Sequence, residues 1–285
     1  MRFRTSLLTL ALLFSVSGCG YFAKWPAQAE ALASLNEILS AEPEADSFWG
    51  DGWVRLENAR DSVVFAAEFV VEYPDKFRMT AFGLFDKPEA YLASDGRRIA
   101  LYLVGENRYF SGPARGEALA TILGLPPMEM KELLGYLTGQ IPVSDTTGAD
   151  LAADKWKGRW TASVGPITSE EKIRFPRTGG RIEGFARTAP GRRVDVRFSN
   201  FSVPDEGSAR PYPHRIAVSA PEAQALFRVS FREMEINAPV ESRSIFTLRA
   251  PPGAIHLPFT HAAGLMGLPL PPVNEPAEEL APVQD

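Results

Sequence analysis

Apolar residues recur at every second position from 63 to 73, so that Val63, Phe65, Ala67, Phe69, Val71 and Tyr73 share one face of an extended segment while Glu68 and Glu72 fall on the other. A period of two with one polar face predicts a long, half-buried strand. Shorter segments of the same kind read out of KFRMTAF, EAYLAS, RRIALYLV and NRYFSG, separated by turn signals at YPDK and SDG. Upstream the period differs: in AEALASLNEILSA, Ala31, Leu32, Leu35, Ile38 and Leu39 line one side of a helix, and Pro43 follows as a stop. Helical spacing returns at Leu119, Ile122 and Leu123, and again at Met130, Leu133, Leu134 and Leu137. Pro127 suits the first turn of that second helix, and Gly139 with Pro142 closes it. Strand patterns then resume in WKGRWTASV, EKIRFP, RIEGFAR, RRVDVRFSNF, HRIAVSA, ALFRVSFREMEI and IFTLRA. Many short strands separated by turns predict one antiparallel sheet or barrel. The order shows no βαβ alternation and no internal repeat. The closing LPLPPVNEPAEELAPVQD, rich in Pro and Glu and poor in large apolar residues, predicts a disordered tail.

The first residues follow a different logic. Arg2 and Arg4 precede an apolar run from Leu7 to Val16, and the small Ser17 and Gly18 stand before Cys19, the only cysteine of the chain. Charged start, apolar middle and small residues make a secretory signal peptide, and the run is shorter than the roughly 20 residues a spanning helix needs. An ordinary signal peptide explains all of this except the cysteine, which would then be there by chance. VSGC resembles the bacterial lipoprotein box, which implies that Cys19 becomes the first mature residue and carries lipid. Two or more acyl chains give stable attachment where one gives only marginal binding. With that thiol consumed, no disulfide forms within the chain. Gly20 is not the aspartate that holds such lipoproteins at the inner membrane, so the resemblance implies the outer membrane, facing the periplasm.

Composition narrows the function. With 45% hydrophobic residues the 285-residue chain can bury one sizeable core. The formal net charge is −5, and the basic residues are scattered along the sequence, so no nucleic-acid partner is expected. G-x-S-x-G, H-E-x-x-H, C-x-x-C and G-x-x-x-x-G-K are all absent, and we expect neither enzyme activity nor a cofactor. His256 and His261, with Pro258 between them, do not share a helical face; they and His214 read as solvated loop residues, the alternative being a metal pair. Glu170 with Glu171, and Glu278 with Glu279, read as turn and tail charges, although a hydrolase whose carboxylates meet only in the fold has no signature in sequence.

From about residue 51 to 143 the chain resembles the LolA/LolB family of lipoprotein carriers and outer-membrane receptors. DGWVRL, YPDKFRMTAFGLF, SDGRRIALYL and LLGYLTGQIP stand where LolB-like proteins have a first strand, a strand leading into a loop, a turn before a long strand, and a helix end; the second half matches in strand pattern alone. The resemblance implies an antiparallel sheet curled into an unclosed β-barrel with helices plugging its concave side. It divides the chain into a signal peptide (1–18), a lipidated tether and first helix (19–45), one half-barrel domain (46–257) and the tail (258–285). It also implies an apolar cavity for acyl chains of lipids or lipoproteins, lined by Phe65, Phe69, Val71, Phe77, Met79, Ile99, Leu101 and Leu103 from the first half and Phe198, Phe227, Val229 and Phe231 from the second. Strand sidedness does not distinguish such a cavity from a filled core, and both readings stand. In AFGLFDKP, Leu84 and Phe85 follow a glycine in a turn: either they fold back on the sheet edge or, as the resemblance implies, they form a membrane-contact loop. The alternative to lipid binding is a structural lipoprotein that holds an envelope protein partner.

If Cys19 is the anchor, Cys19→Ser moves the protein from the membrane to the soluble periplasmic fraction. Fractionation with immunodetection checks this, and continued sedimentation with membranes would contradict it.

Overall fold

The computed structural model describes residues 25–41, 45–123, 125–143, 145–203, 211–240 and 242–262. Cys19 and the segment before it, Pro43, and residues 263–285 lie outside these. Six strands form a first antiparallel meander: β1 (Ser47–Glu57), β2 (Ser62–Glu72), β3 (Lys76–Phe82), β4 (Pro88–Asp95), β5 (Arg98–Leu103) and β6 (Arg108–Pro113). Two short helices follow, α2 (Gly116–Ile122) and α3 (Met130–Tyr136), after the N-terminal α1 (Gln28–Ala41). A second meander then runs through β7 (Asp150–Asp154), β8 (Arg159–Val164), β9 (Glu171–Pro176), β10 (Gly184–Ala189), β11 (Arg192–Ser202), β12 (Tyr212–Ala220) and β13 (Ala225–Ile236). It begins at the far edge and returns to the middle, where β13 pairs with β1. The result is a single sheet of 14 strands in which β7 and β14 (Ile255–Pro258) are the two edges and do not pair with each other, so the barrel stays unclosed. The fold is mainly β with a few helices, as the strand patterns led us to expect.

The β1–β13 seam sets the geometry. Phe48 lies opposite Ile236, Val54 opposite Val229 and Leu56 opposite Phe227, so both meanders present their large side chains to the same face. Gly50 and Gly52 make the close approach possible. A Cβ on Gly52 would stand 2.1 Å from the Ser230 carbonyl oxygen, and one on Gly50 would stand 2.5 Å from the Phe48 ring. The register shifts between Asp51 and Gly52 at the same place.

The inner face is covered because the chain has to cross it. To pass from β6 to β7 it spans the width of the sheet, and that crossing carries α2 and α3. Leu119, Leu133, Leu134 and Tyr136 from these helices, with Leu35 of α1, join the strands' inward side chains in one buried cluster. Each of α2 and α3 has seven residues, too few to be stable alone, so packing holds them in place. On α1 the expected stripe is present, with Ala31, Leu35 and Ile38 buried and Leu32 and Leu39 packed against the cluster.

Several expectations need correction. IFTLRA is not a strand. Residues Arg243–Phe246 form a 3-10 turn and the chain continues as an extended strap across the outer face of β3 to β6. Side chains hold it there: Phe246 is buried, Arg78 Nη1 donates to the Ile245 carbonyl at 3.0 Å, and the Tyr109 hydroxyl donates to the Leu248 carbonyl at 2.8 Å. The strap then adds β14 to the edge strand β6 in parallel, the one departure from antiparallel pairing among the described residues. It turns over that edge to bury Phe259 and Ala262 in the core, so the folded body extends five residues beyond the expected boundary at 257. In WKGRWTASV only Arg159–Val164 are strand: Trp156–Gly158, with Lys155 before them, make a hairpin turn between β7 and β8, and β7 is a strand the alternation did not reveal because only Leu151 of its five residues is buried. Helix α3 starts at Met130, three residues after Pro127.

Phe246→Ala empties a fully buried site and is expected to cost about 3 kcal/mol in urea unfolding. An unchanged midpoint would mean that the strap adds nothing to the fold.

Candidate functional site

The residues expected to line a cavity are brought together on the concave face, but as packed core. Phe65, Phe69, Val71, Phe77, Ile99, Leu101, Leu103, Phe198, Phe227, Val229 and Phe231 are each buried in the one cluster beneath the helices, and Met79 packs half-buried against it. Phe231 meets Phe48 and Phe69 edge-on, with ring centroids 5.1 and 5.8 Å apart. Sequence alternation found the face correctly; whether helices fill it is decided by a crossing connection that no local pattern records.

Openings do flank the helical cover. One, of about 420 Å³, lies between α1, the turn after α3 and the start of β12; Ile38, Thr138, Ile182, Phe201 and Tyr212 contribute to it. A second, of about 950 Å³, lies on the other side of α3 against the chain that joins α2 to α3, with Met128, Glu132, Ile141, Val143 and Arg187 in its wall. Gln140 borders both, so the turn TGQIP separates them. Gly139 makes that turn with φ +78, and Gln140 N–H donates back to the Gly135 carbonyl at 2.9 Å. Volumes of this order are those of small-molecule sites.

Polar groups fix α3 between the clefts. Arg187 faces inward from β10 and forms ion pairs with Glu132 of α3 at 2.9 Å and Glu171 of β9 at 2.8 Å. Burial opposes the charge on Arg187, but the hydrogen bonds and charges of Glu171 and Glu132 outweigh it and raise its pKa above the ordinary value. The Tyr136 hydroxyl donates to Glu132; burial and that carboxylate push its pKa well up, so it remains protonated. At the other cleft the Tyr73 hydroxyl bonds the Leu134 carbonyl and Thr138 Oγ1, at 3.0 and 3.1 Å, and burial pushes its pKa up as well. Beside it the Tyr212 hydroxyl is buried with no hydrogen-bond partner among the described residues. An orphaned donor just behind a cleft wall keeps its desolvation cost unless a ligand oxygen reaches it.

Leu84 and Phe85 do not fold back on the sheet. They form part of a 3-10 turn, with Phe85 89% exposed and held at φ +61, ψ +34. Val104 from the β5–β6 turn and Ile255 from β14 are exposed at the same end of the strands, where Ile255 N–H bonds the Asn107 carbonyl. Sequence singled out the first two; the others were hidden because strand pairing alone brings them near. His214 lies against Ser202 and the Phe231 carbonyl, His256 beside the Tyr109 ring and His261 in the last 3-10 turn, and no cluster of three metal-ligating side chains exists among the described residues. Glu170 and Glu171 part company, the first with Lys172 and the second with Arg187. No described helix is long and apolar enough to cross a membrane.

No family model matches the chain, and no curated protein does. Among solved structures it is similar to a LolA superfamily protein from Nitrosomonas europaea, at 13% identity and a TM-score of 0.43, over 78% of this chain and 98% of that one. A DUF1329 family protein from Desulfovibrio piger is similar at 8% identity and a TM-score of 0.47, with the same shares covered. Identities this low speak at most to backbone arrangement, and function has to be read from this chain's own residues.

Because the Tyr212 hydroxyl has no partner to lose, Tyr212→Phe is expected to leave the thermal midpoint unchanged or to raise stability by about 1 kcal/mol. Titration with a fluorescent fatty acid is expected to show roughly fivefold weaker binding if that hydroxyl serves the ligand's polar end, a loss of one neutral hydrogen bond.

Proposed function

We propose that this protein is a lipid-anchored carrier of the bacterial envelope that takes acyl chains of lipids or lipoproteins beneath its helical cover and passes them on at the outer membrane. Its anchor is Cys19, and no covalent chemistry is required of it. Passing cargo on needs only a next site that shields the chains better.

The observation that carries this reading is Phe85. A bulky residue at positive φ stores strain of the order of 1–3 kcal/mol, and an aromatic ring left in water gains nothing from burial. Here both occur in one residue of an apolar tip, with Leu84, Val104 and Ile255 beside it. Such a tip fits contact with an apolar surface, either the bilayer or the mouth of a partner. The clefts beside the concave core support the same reading, because they flank its helical cover on both sides of α3 and give an acyl chain a place to enter. The alternative, a structural lipoprotein holding an envelope partner, is favoured by the packed state of that core.

The double change Leu84→Glu, Phe85→Glu tests the carrier role. Both side chains are exposed, so folding and ligand uptake are expected to stay intact. Loss of one buried apolar contact, worth about 1.5 kcal/mol, is expected to slow transfer of a labelled acyl ligand to liposomes about tenfold. An unchanged rate would reject the contact role, and a large fall in thermal midpoint would show the pair to be core.

A further inference from the structure

The opposite end of the strands carries a different surface. The β7–β8 turn there reads Lys155, Trp156, Lys157, Gly158, and its indole is 100% exposed. Beside the turn, on the outer face of the sheet, lies a cleft of about 480 Å³ walled by Lys157, Arg159, Arg174, Arg181 and Arg197 against only Asp154 and Glu183. Pairing explains the gathering. Arg174 stands opposite Gly184 and Thr161, and Gly184 opposite Arg197, so cations from β9 and β11 meet over a residue with no side chain. Local partners account for part of the charge: Glu183 takes Arg181 at 3.5 Å, Arg181 also lies 4.6 Å over the Phe201 ring, and Arg174 donates to the Val196 carbonyl at 3.3 Å. Burial holds the Arg174 pKa below its usual value; Asp195 opposes this, and the charges of Arg197, Arg159 and Arg193 add to it. A chain of net charge −5 has concentrated cations here at a cost in mutual repulsion.

The start of the described chain lies at this same end. Trp25 packs against Trp160, with ring centroids 5.5 Å apart, and under the Arg177 guanidinium at 5.3 Å. Cys19 precedes Trp25 by six residues, a reach of roughly 20 Å at most. An indole flanked by lysines and backed by arginines suits the headgroup layer, where tryptophan rings sit at the polar boundary and basic side chains meet lipid phosphates.

We propose that the Trp156 end is the face on which the protein rests against anionic phospholipid headgroups of the membrane that holds its anchor. The assignment rests on the anchored-carrier reading above and adds an orientation to it. The apolar tip at Phe85 then stands at the far end of the strands, roughly 20–25 Å away for the six to eight residues of β8, β3 and β4, and reaches the bilayer only when the body tips over. The two contacts alternate.

Vesicle co-sedimentation of the full chain carrying Cys19→Ser measures the surface without the lipid. Partition onto phosphatidylglycerol vesicles is expected to exceed that onto phosphatidylcholine and to fall with salt. Lys155→Ala with Lys157→Ala is expected to lower it roughly 25-fold, about fivefold per cation, and Trp156→Ala to lower it further, with thermal midpoints unchanged. Equal partition onto both lipids, or no effect of these variants, would overturn the proposal. So would displacement by inorganic phosphate beyond what chloride of equal ionic strength achieves, since that marks a soluble-anion site. The Leu84→Glu, Phe85→Glu chain separates the two readings: it is expected to lose transfer and keep this partition. In the lipidated protein in nanodiscs, a fluorophore on Trp156→Cys is expected to be quenched by headgroup-labelled lipid and one on Leu84→Cys to be spared. The reverse pattern would overturn the orientation even if Cys19→Ser fails to leave the membrane.

Discussion

Everything else in this structure depends on the pairing of β1 with β13. Each meander alone is a ladder of neighbours in sequence, with its apolar face set by its own alternation. Only the β1–β13 seam aligns the two faces, and a slip of one residue would turn half of the apolar set toward water. Gly50 and Gly52 are the local condition for that seam, since a Cβ at either would collide with β13 or with the neighbouring ring. Once the seam is made, Phe48, Phe69 and Phe231 lock across it, and a single concave surface exists that has to be covered.

The cover and the edges follow from that surface. The β6-to-β7 connection supplies α2 and α3 because the second meander starts at the far edge, and α1 fills the space beside them. Neither short helix is stable by propensity, so the Arg187 pairs with Glu132 and Glu171 matter out of proportion to their number: they tie the free side of α3 to the sheet. At the other edge the strap adds β14 and tucks in Phe259, which leaves β6 with a partner in place of exposed backbone groups.

Polarity divides the strand ends. The end formed by the β3–β4 and β5–β6 turns is apolar and strained at Phe85, whereas the end formed by the β7–β8 turn is cationic and aromatic. Both are products of turns, where side chains are not needed for the core and are available for contact. Their separation by the length of the strands is what makes a carrier reading geometrically specific, because one end can face the anchoring bilayer while the other is presented elsewhere.

Much of this was legible in the sequence. Period-two alternation located β2 and most other strands and named the inward face residue by residue, because burial on one side of a strand leaves its mark on every second position. Helical spacing located α1 to α3, and an apolar pair after Gly83 marked the tip. What sequence missed has a common cause. The strap has no period because its contacts come from Phe246, Tyr109 and Arg78 meeting across 130 residues or more; β7 has one buried residue and so no alternation; Trp156 looked like strand because its neighbours do. The choice between cavity and core, and the gathering of arginines over Gly184, depend on which strands lie side by side. Local pattern fixes which face of an element is apolar, since that is set by the residue's own burial. Only the tertiary structure decides what meets that face, because strand order and the crossing of the helices bring together residues whose positions in the chain carry no record of one another.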